Sequence, residues 1–153
     1  MTQIYDILDA IRDRLRANPN VNTVSFGQLT DIDLNKTTMY PLSHVYIDEV
    51  VYNDRSVSVT IRLLCLDVVD FNKNDTDTID NFYGNDNLID VLNTQMQVIN
   101  DVVEQVRRGT LYNSQYQLTD NPSAEPMKDR FENEVAGWGI SFTIDIPNGI
   151  NIC

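Results

Sequence analysis

The chain has 153 residues, 42% of them hydrophobic and 22% charged, the size and balance of one ordinary globular domain rather than two. Eleven Lys and Arg stand against 23 Asp and Glu, for a formal charge of −12, so the basic footprint of a protein that wraps nucleic acid is missing. No stretch approaches the roughly 18 uninterrupted apolar residues of a membrane span. The opening MTQIYDILDAIRDR lacks the basic-then-apolar run of a signal peptide, so the expectation is a soluble product made in a cytoplasm.

Ile4, Ile7, Leu8, Ile11 and Leu15 recur at three- and four-residue steps, with Asp6, Asp9, Arg12, Asp13 and Arg16 on the other side, which predicts an amphipathic helix that Thr2 can cap. Asn18-Pro19 ends it, because the residue before a proline is pushed out of the helical region. A short strand over Val21–Phe26 follows, and Gly27 breaks it. After an irregular polar stretch at 28–41, Leu42–Val51 carries Val45, Ile47 and Val51 on one parity. Val57, Val59, Ile61, Leu63 and Cys65 then alternate with Ser56, Ser58, Thr60 and Arg62. With Tyr52-Asn53-Asp54-Arg55 as the turn, these two strands form an antiparallel hairpin.

From Asp67 to Asp90, seven aspartates stand against one lysine, a composition that buries little and reads as a solvated loop. A calcium loop is the alternative, with Asp70, Asn72 and Asn74 at its first, third and fifth positions. Asp75 in place of the turn glycine and Asn81 in place of the bidentate glutamate work against it. Phe82 and Tyr83, aromatic in an acidic segment, serve either as an anchor for a protein partner or by packing on the domain's own helix.

A second helix is predicted over Asn87–Arg108 from the stripe Leu88, Val91, Leu92, Ile99, Val102, Val103 and Val106. Gly109 stops it, and Arg107 and Arg108 complement its dipole. Tyr112, Tyr116 and Leu118 suggest a short strand, and Asp120–Pro126 a polar loop. Trp138, Ile140, Phe142, Ile144 and Ile146 alternate with small or polar residues, which makes a strand with one face in a core, ended by Pro147. The order predicts a single α+β domain over 1–147, a mainly antiparallel sheet with two helices on one face, an acidic insert at about 67–87 and a tail at 148–153.

Chemistry is sparse. The single histidine, His44, opens a strand, where its neighbour Ser43 points to the opposite face; the expected role is a sheet-surface or interface residue. Cys65 lies in an apolar run as a buried thiol, and Cys153 is terminal, so neither a disulfide nor a four-ligand zinc site is expected. Six glycines form no phosphate-cradling motif. No catalytic, cofactor or metal residue is assigned.

The N-terminal helix Ile4–Arg16, the run Met39-Tyr40-Pro41-Leu42-Ser43-His44-Val45-Tyr46-Ile47, the strand Ser56–Asp67 ending in an acidic loop, the long helix and the terminal strand Gly139–Ile146 span most of the chain. In these elements and their order the chain resembles the tail terminator, or tail-to-head joining, proteins of long-tailed bacteriophages. That resemblance implies a non-enzymatic virion protein at the tail–neck junction, without a cofactor. It implies a six-membered ring that caps the tail tube, stops its polymerisation and offers a surface to the neck, so the partners are further copies, the tube protein and a neck protein. Ring contacts are expected at sheet edges supplied by Ser56–Asp67 and Gly139–Ile146, represented by Arg62, Ser141 and Thr143, with Asp70, Phe71, Phe82 and Tyr83 of the loop reaching a neighbour. Six copies would carry about −72, six times −12, which either repels DNA passing through the bore without binding it specifically or serves solubility. The competing readings are a neck or head-completion protein of the same virion and a small α+β enzyme with a pocket under its sheet.

Overall fold

A computed structural model describes residues 4–28, 39–69, 82, 87–109, 116–130 and 134–148. Helix α1 (Ile4–Ala17) buries Ile7, Ile11 and Leu15 and ends before Pro19, as the apolar spacing requires. Strands β1 (Thr23–Phe26), β2 (Leu42–Tyr52) and β3 (Ser56–Val68) precede helix α2 (Leu88–Arg108), and β4 (Gln117–Leu118), β5 (Ala124–Arg130) and β6 (Glu134–Pro147) follow it. The proposed cap Thr2, together with Tyr112 and Cys153, lies outside the described residues.

The strands form one six-stranded mixed sheet in the order β1-β2-β3-β6-β4, with β5 also paired to β6. Only β1 and β2 run parallel; the β2–β3 hairpin and the other pairs are antiparallel. Both helices pack on one face. Ile7, Ile11 and Leu15 of α1 and Val98, Ile99, Val102 and Val106 of α2 join Val59, Ile61, Leu63 and Cys65 of β3 and Ile140, Phe142, Ile144 and Ile146 of β6 in one core. The α+β class with two helices on one face is therefore the observed architecture. Trp138 ties the layers by donating its indole N–H to the Leu92 carbonyl at 2.7 Å. The inner end of the other face is also apolar: Tyr40, Leu42, Leu64, Leu66 and Val135 form a second cluster, with Met39 and Met127 packed against it.

Four expectations need correction. First, β3 and β6 pair with each other over their full lengths and are flanked by β2 on one side and by β4 and β5 on the other, so neither is an edge. Their strong alternation, which suggested adhesive strands, is the mark of the sheet's centre. Second, the pairing shifts between Ile47 and Glu49. The extra residue, Asp48, reverses the parity beyond it, so Val51 pairs with Ser58 on the polar face while Val50 and Tyr52 pair with Val59 and Val57 on the helix side.

Third, Asp120–Pro126 is not wholly loop, because β5 begins at Ala124. Pro126 is tolerated there since an outer strand has backbone N–H positions that no ladder needs. Fourth, β6 starts at Glu134, ahead of the apolar alternation, and β1 starts at Thr23 rather than Val21. The chain reaches β1 through Asn22 and Thr23, whose N–H groups both donate to the Pro41 carbonyl, at 2.9 and 3.1 Å.

Two glycines answer to geometry. Gly27 ends β1 with a φ of 123°, a conformation other residues rarely adopt. At Gly137 a Cβ would lie 1.8 Å from the Cys65 carbonyl oxygen, so β6 approaches β3 there as only glycine allows.

Candidate functional site

Three of the residues expected at an interface fall together on the sheet face opposite the helices. The register sets Arg62 beside Ser141 and Thr60 beside Thr143. The Thr60 and Thr143 hydroxyls are 3.0 Å apart, and the next rung is a hydrogen bond from the Ser58 hydroxyl to the Asp145 carboxylate. Thr119 extends the row by donating to the Thr143 carbonyl at 3.3 Å. Arg62 is exposed and donates to the Tyr46 hydroxyl at 3.2 Å, with its guanidinium carbon 6.0 Å from that ring's centre. That hydrogen bond, with smaller help from Asp48 and Glu125, raises the already high pKa of Arg62. This polar ladder is a side-chain surface; on the outer side of β6, β5 pairs as far as Ile140, β4 pairs at Ile144 and Asp145, and the Thr119 N–H donates to the Thr143 carbonyl between them.

Phe82 is 81% exposed. Asp70, Phe71 and Tyr83 lie outside the described residues, as do the calcium-loop positions Asn72, Asn74, Asp75 and Asn81. Among the described residues, no cluster of His, Cys, Asp and Glu is arranged to hold a metal ion, and no helix is long and apolar enough to cross a membrane.

His44 is fully buried, not at a surface or interface as its position suggested. Its Nε2 lies 2.7 Å from the Gly27 carbonyl, which can only accept, so Nε2 carries the proton and Nδ1 accepts from the Ser25 hydroxyl at 2.8 Å. Ser25 is its register partner on β1, so the imidazole clasps β1 to β2. Ser25 was missed because its strand is four residues long and pairs with β2 across a long excursion of chain. Ser43, as expected, diverges from His44 and reaches the Cys65 sulfur at 3.7 Å. Burial pushes the Cys65 thiol up to about 12, against a small opposing effect of Ser43, so it stays protonated and unreactive. Gln95, a polar residue in the apolar stripe of α2, is fully buried, and among the described residues its amide atoms have no hydrogen-bond partner.

Beyond the reach of β1, strand β2 becomes an edge among the described residues. Strand β1 covers β2 only along Leu42–Val45, and among the described residues no strand pairs with the outer side of β2 beyond that point. This outer half projects as an arm, exposed from Asp48 to Tyr52, with Val50, Val51 and Tyr52 at 38%, 43% and 79% exposure. Its inner side is braced. Asn53 accepts the chain reversal by donating its N–H to the Ser56 carbonyl at 2.9 Å, its side-chain amide donates to Ser58 at 3.0 Å, and the Asn148 N–H donates to the Arg55 carbonyl at 3.0 Å. Three apolar side chains on a braced, half-paired hairpin make an adhesive surface. No model of a known protein family matches the chain, and neither does any curated protein.

Proposed function

We propose that this chain is a structural virion protein of the tail terminator type, which assembles with further copies at the end of a phage tail tube, stops its growth and joins the tail to the neck. The observation that carries the reading is the braced arm of β2 and β3, which presents exposed Val50, Val51 and Tyr52 and a strand edge that is unpaired among the described residues. Such a surface suits repeated contact between copies and with a cylinder's end, where one patch meets a different patch and rotation closes the ring. The likeness of element order to the tail terminator proteins supplies the rest of the argument. The polar ladder from Ser58 to Arg62 then offers a second, flatter surface to the tube or the neck.

The test uses tubes polymerised from the tube protein of the same virus. Added protein is expected to appear as extra density at one tube end in electron micrographs and to shorten the length distribution. Density at the portal but never at tubes would move the chain to the neck, and tubes that grow unchanged would overturn the reading.

A further inference from the structure

Helix α1 and strand β1 enclose an open groove of about 230 Å³ on the helix side of the sheet, lined by the apolar Tyr5, Leu8, Val24, Phe26 and Val45 together with the polar Asp9, Arg12 and Ser25. Tyr5 and Phe26, at 67% and 59% exposure, leave its apolar floor accessible. Arg16, one turn beyond Arg12 on the same exposed side of α1, lines the adjoining hollow with Val21 and Val24. Arg12 meets Asp9 and Asp13 only at 3.5 Å and in full view of solvent, where such pairs are worth little and exchange readily. In a chain of formal charge −12, the groove is thus mainly apolar, with Arg12 and Arg16 along its rim against the one lining carboxylate of Asp9.

The arm has the complementary character. Asp48, Glu49 and Asp54, against the single Arg55, flank Val50, Val51 and Tyr52 along the chain, so a net acidic collar borders an apolar tip, and Val50 and Tyr52 project on one face. The tip cannot fill its own groove. Val45 lines the groove and Tyr52 lies seven residues farther along the same strand, roughly 23 Å away at about 3.3 Å per residue. We propose that the arm tip of one copy seats in the α1–β1 groove of a second copy, with Tyr52 and Val50 against Tyr5, Phe26 and Val24 and the acidic collar facing Arg12 and Arg16. The contact joins two different patches, so each copy uses its tip on one neighbour and its groove on the other, and the chain of contacts closes or propagates according to the rotation between copies. It names the adhesive patches for the ring described above and rests on that reading for its closure alone.

The experiment is sedimentation velocity of the full chain up to roughly millimolar concentration, where even weak contacts populate complexes. Two variants accompany it: a tip variant carrying Val50→Ser and Tyr52→Ser, and a rim variant carrying Arg12→Glu and Arg16→Glu. All four positions are exposed, and circular dichroism checks that each variant keeps its fold. The parent is expected to self-associate and each variant alone to remain monomeric. Mixed in equal amounts, the two variants should form a one-to-one pair and nothing larger, because the rim variant retains an intact tip and the tip variant an intact groove. Glu49→Lys, which keeps every apolar side chain, should weaken parent association about tenfold.

Variants that associate like the parent would overturn this contact and leave the ring reading standing. A mixture that stays monomeric while the parent associates would do the same. A parent that is monomeric throughout would remove the contact, and the tube-capping assay would decide the ring reading separately.

Discussion

The two halves of β2 differ as much as any two regions of the molecule. From Leu42 to Val45 the strand is wholly buried, flanked by β1 and β3, and sealed by the imidazole of His44 on Ser25 and Gly27. From Asp48 to Tyr52 the same strand is exposed on its residues and unpaired on its outer side among the described residues. The inner half follows the rule that buried polar groups must be satisfied, and the outer half blunts its edge only with the bulge and the charges at Asp48 and Glu49, leaving Val50, Val51 and Tyr52 exposed beyond them. The difference separates what holds the fold from what is available to a partner, and mutations should divide along it.

The largest effect is expected where the inner half is widest. Leu42, Leu66 and Gly137 lie in one row across the sheet, and Gly137→Ala would drive a methyl group into the Cys65 carbonyl. Strand separation should cost about 4 kcal/mol or more, read as a collapse of the urea midpoint. His44→Ala comes next, because it leaves the Gly27 carbonyl and the Ser25 hydroxyl without their partner and opens a cavity. A loss of about 3 kcal/mol in chemical denaturation is expected, and less than 1 kcal/mol would mean that the clasp is dispensable. Gln95→Met works in the opposite direction: it replaces an orphaned buried amide by an apolar chain of similar length and should stabilise the protein by about 1 kcal/mol.

A smaller effect, with a pH signature, belongs to Asp67 at the inner end of β3. Burial raises its carboxyl pKa above the ordinary value, against the opposing Val68 N–H. Folding therefore favours the protonated form, and this contribution is complete at low pH and lost as the pH rises through the raised folded value. Asp67→Asn should melt slightly higher than the parent at neutral pH, with the difference vanishing in acid. The smallest effect on stability is that of Tyr52→Ser on the arm, expected within about 0.5 kcal/mol in the same melts. A large loss there would show that the outer half belongs to the core after all.

Much of this architecture was legible in the periodicity of the chain. The apolar steps of α1, the alternation through β3 and β6 and the Tyr52–Arg55 turn each reflect a face that must be buried, and burial leaves its period in the sequence. Strand order left no such trace. Alternation reports that a strand has one buried face and is silent on how many neighbours it has, so β3 and β6 were read as edges although they form the centre. The bulge was equally hidden, since a single inserted residue, Asp48, looks like any other polar position, and Val51 was assigned to the wrong face in consequence. Of the candidate surface, Arg62, Ser141 and Thr143, chosen one by one, fall on one face of the sheet, and Phe82 is exposed. The arm was missed because Val51 was counted with the buried parity of Val45 and Ile47 and Tyr52 with the turn; the short reach of β1 along β2 leaves this half exposed.

The extra residue at Asp48 gives β2 two independent reading frames. Upstream, every side chain is locked to the helices and to the second cluster, whereas downstream the assignment of residues to faces is set afresh. Drawing Asp48 into the ladder opposite Thr60 would carry Glu49 and Val51 to the helix side and turn Val50 and Tyr52 over to the other, whereas deleting it would leave every downstream residue on its present face. One unpaired residue thus decides which side chains the outer half displays, while the interior goes on being spelled as before.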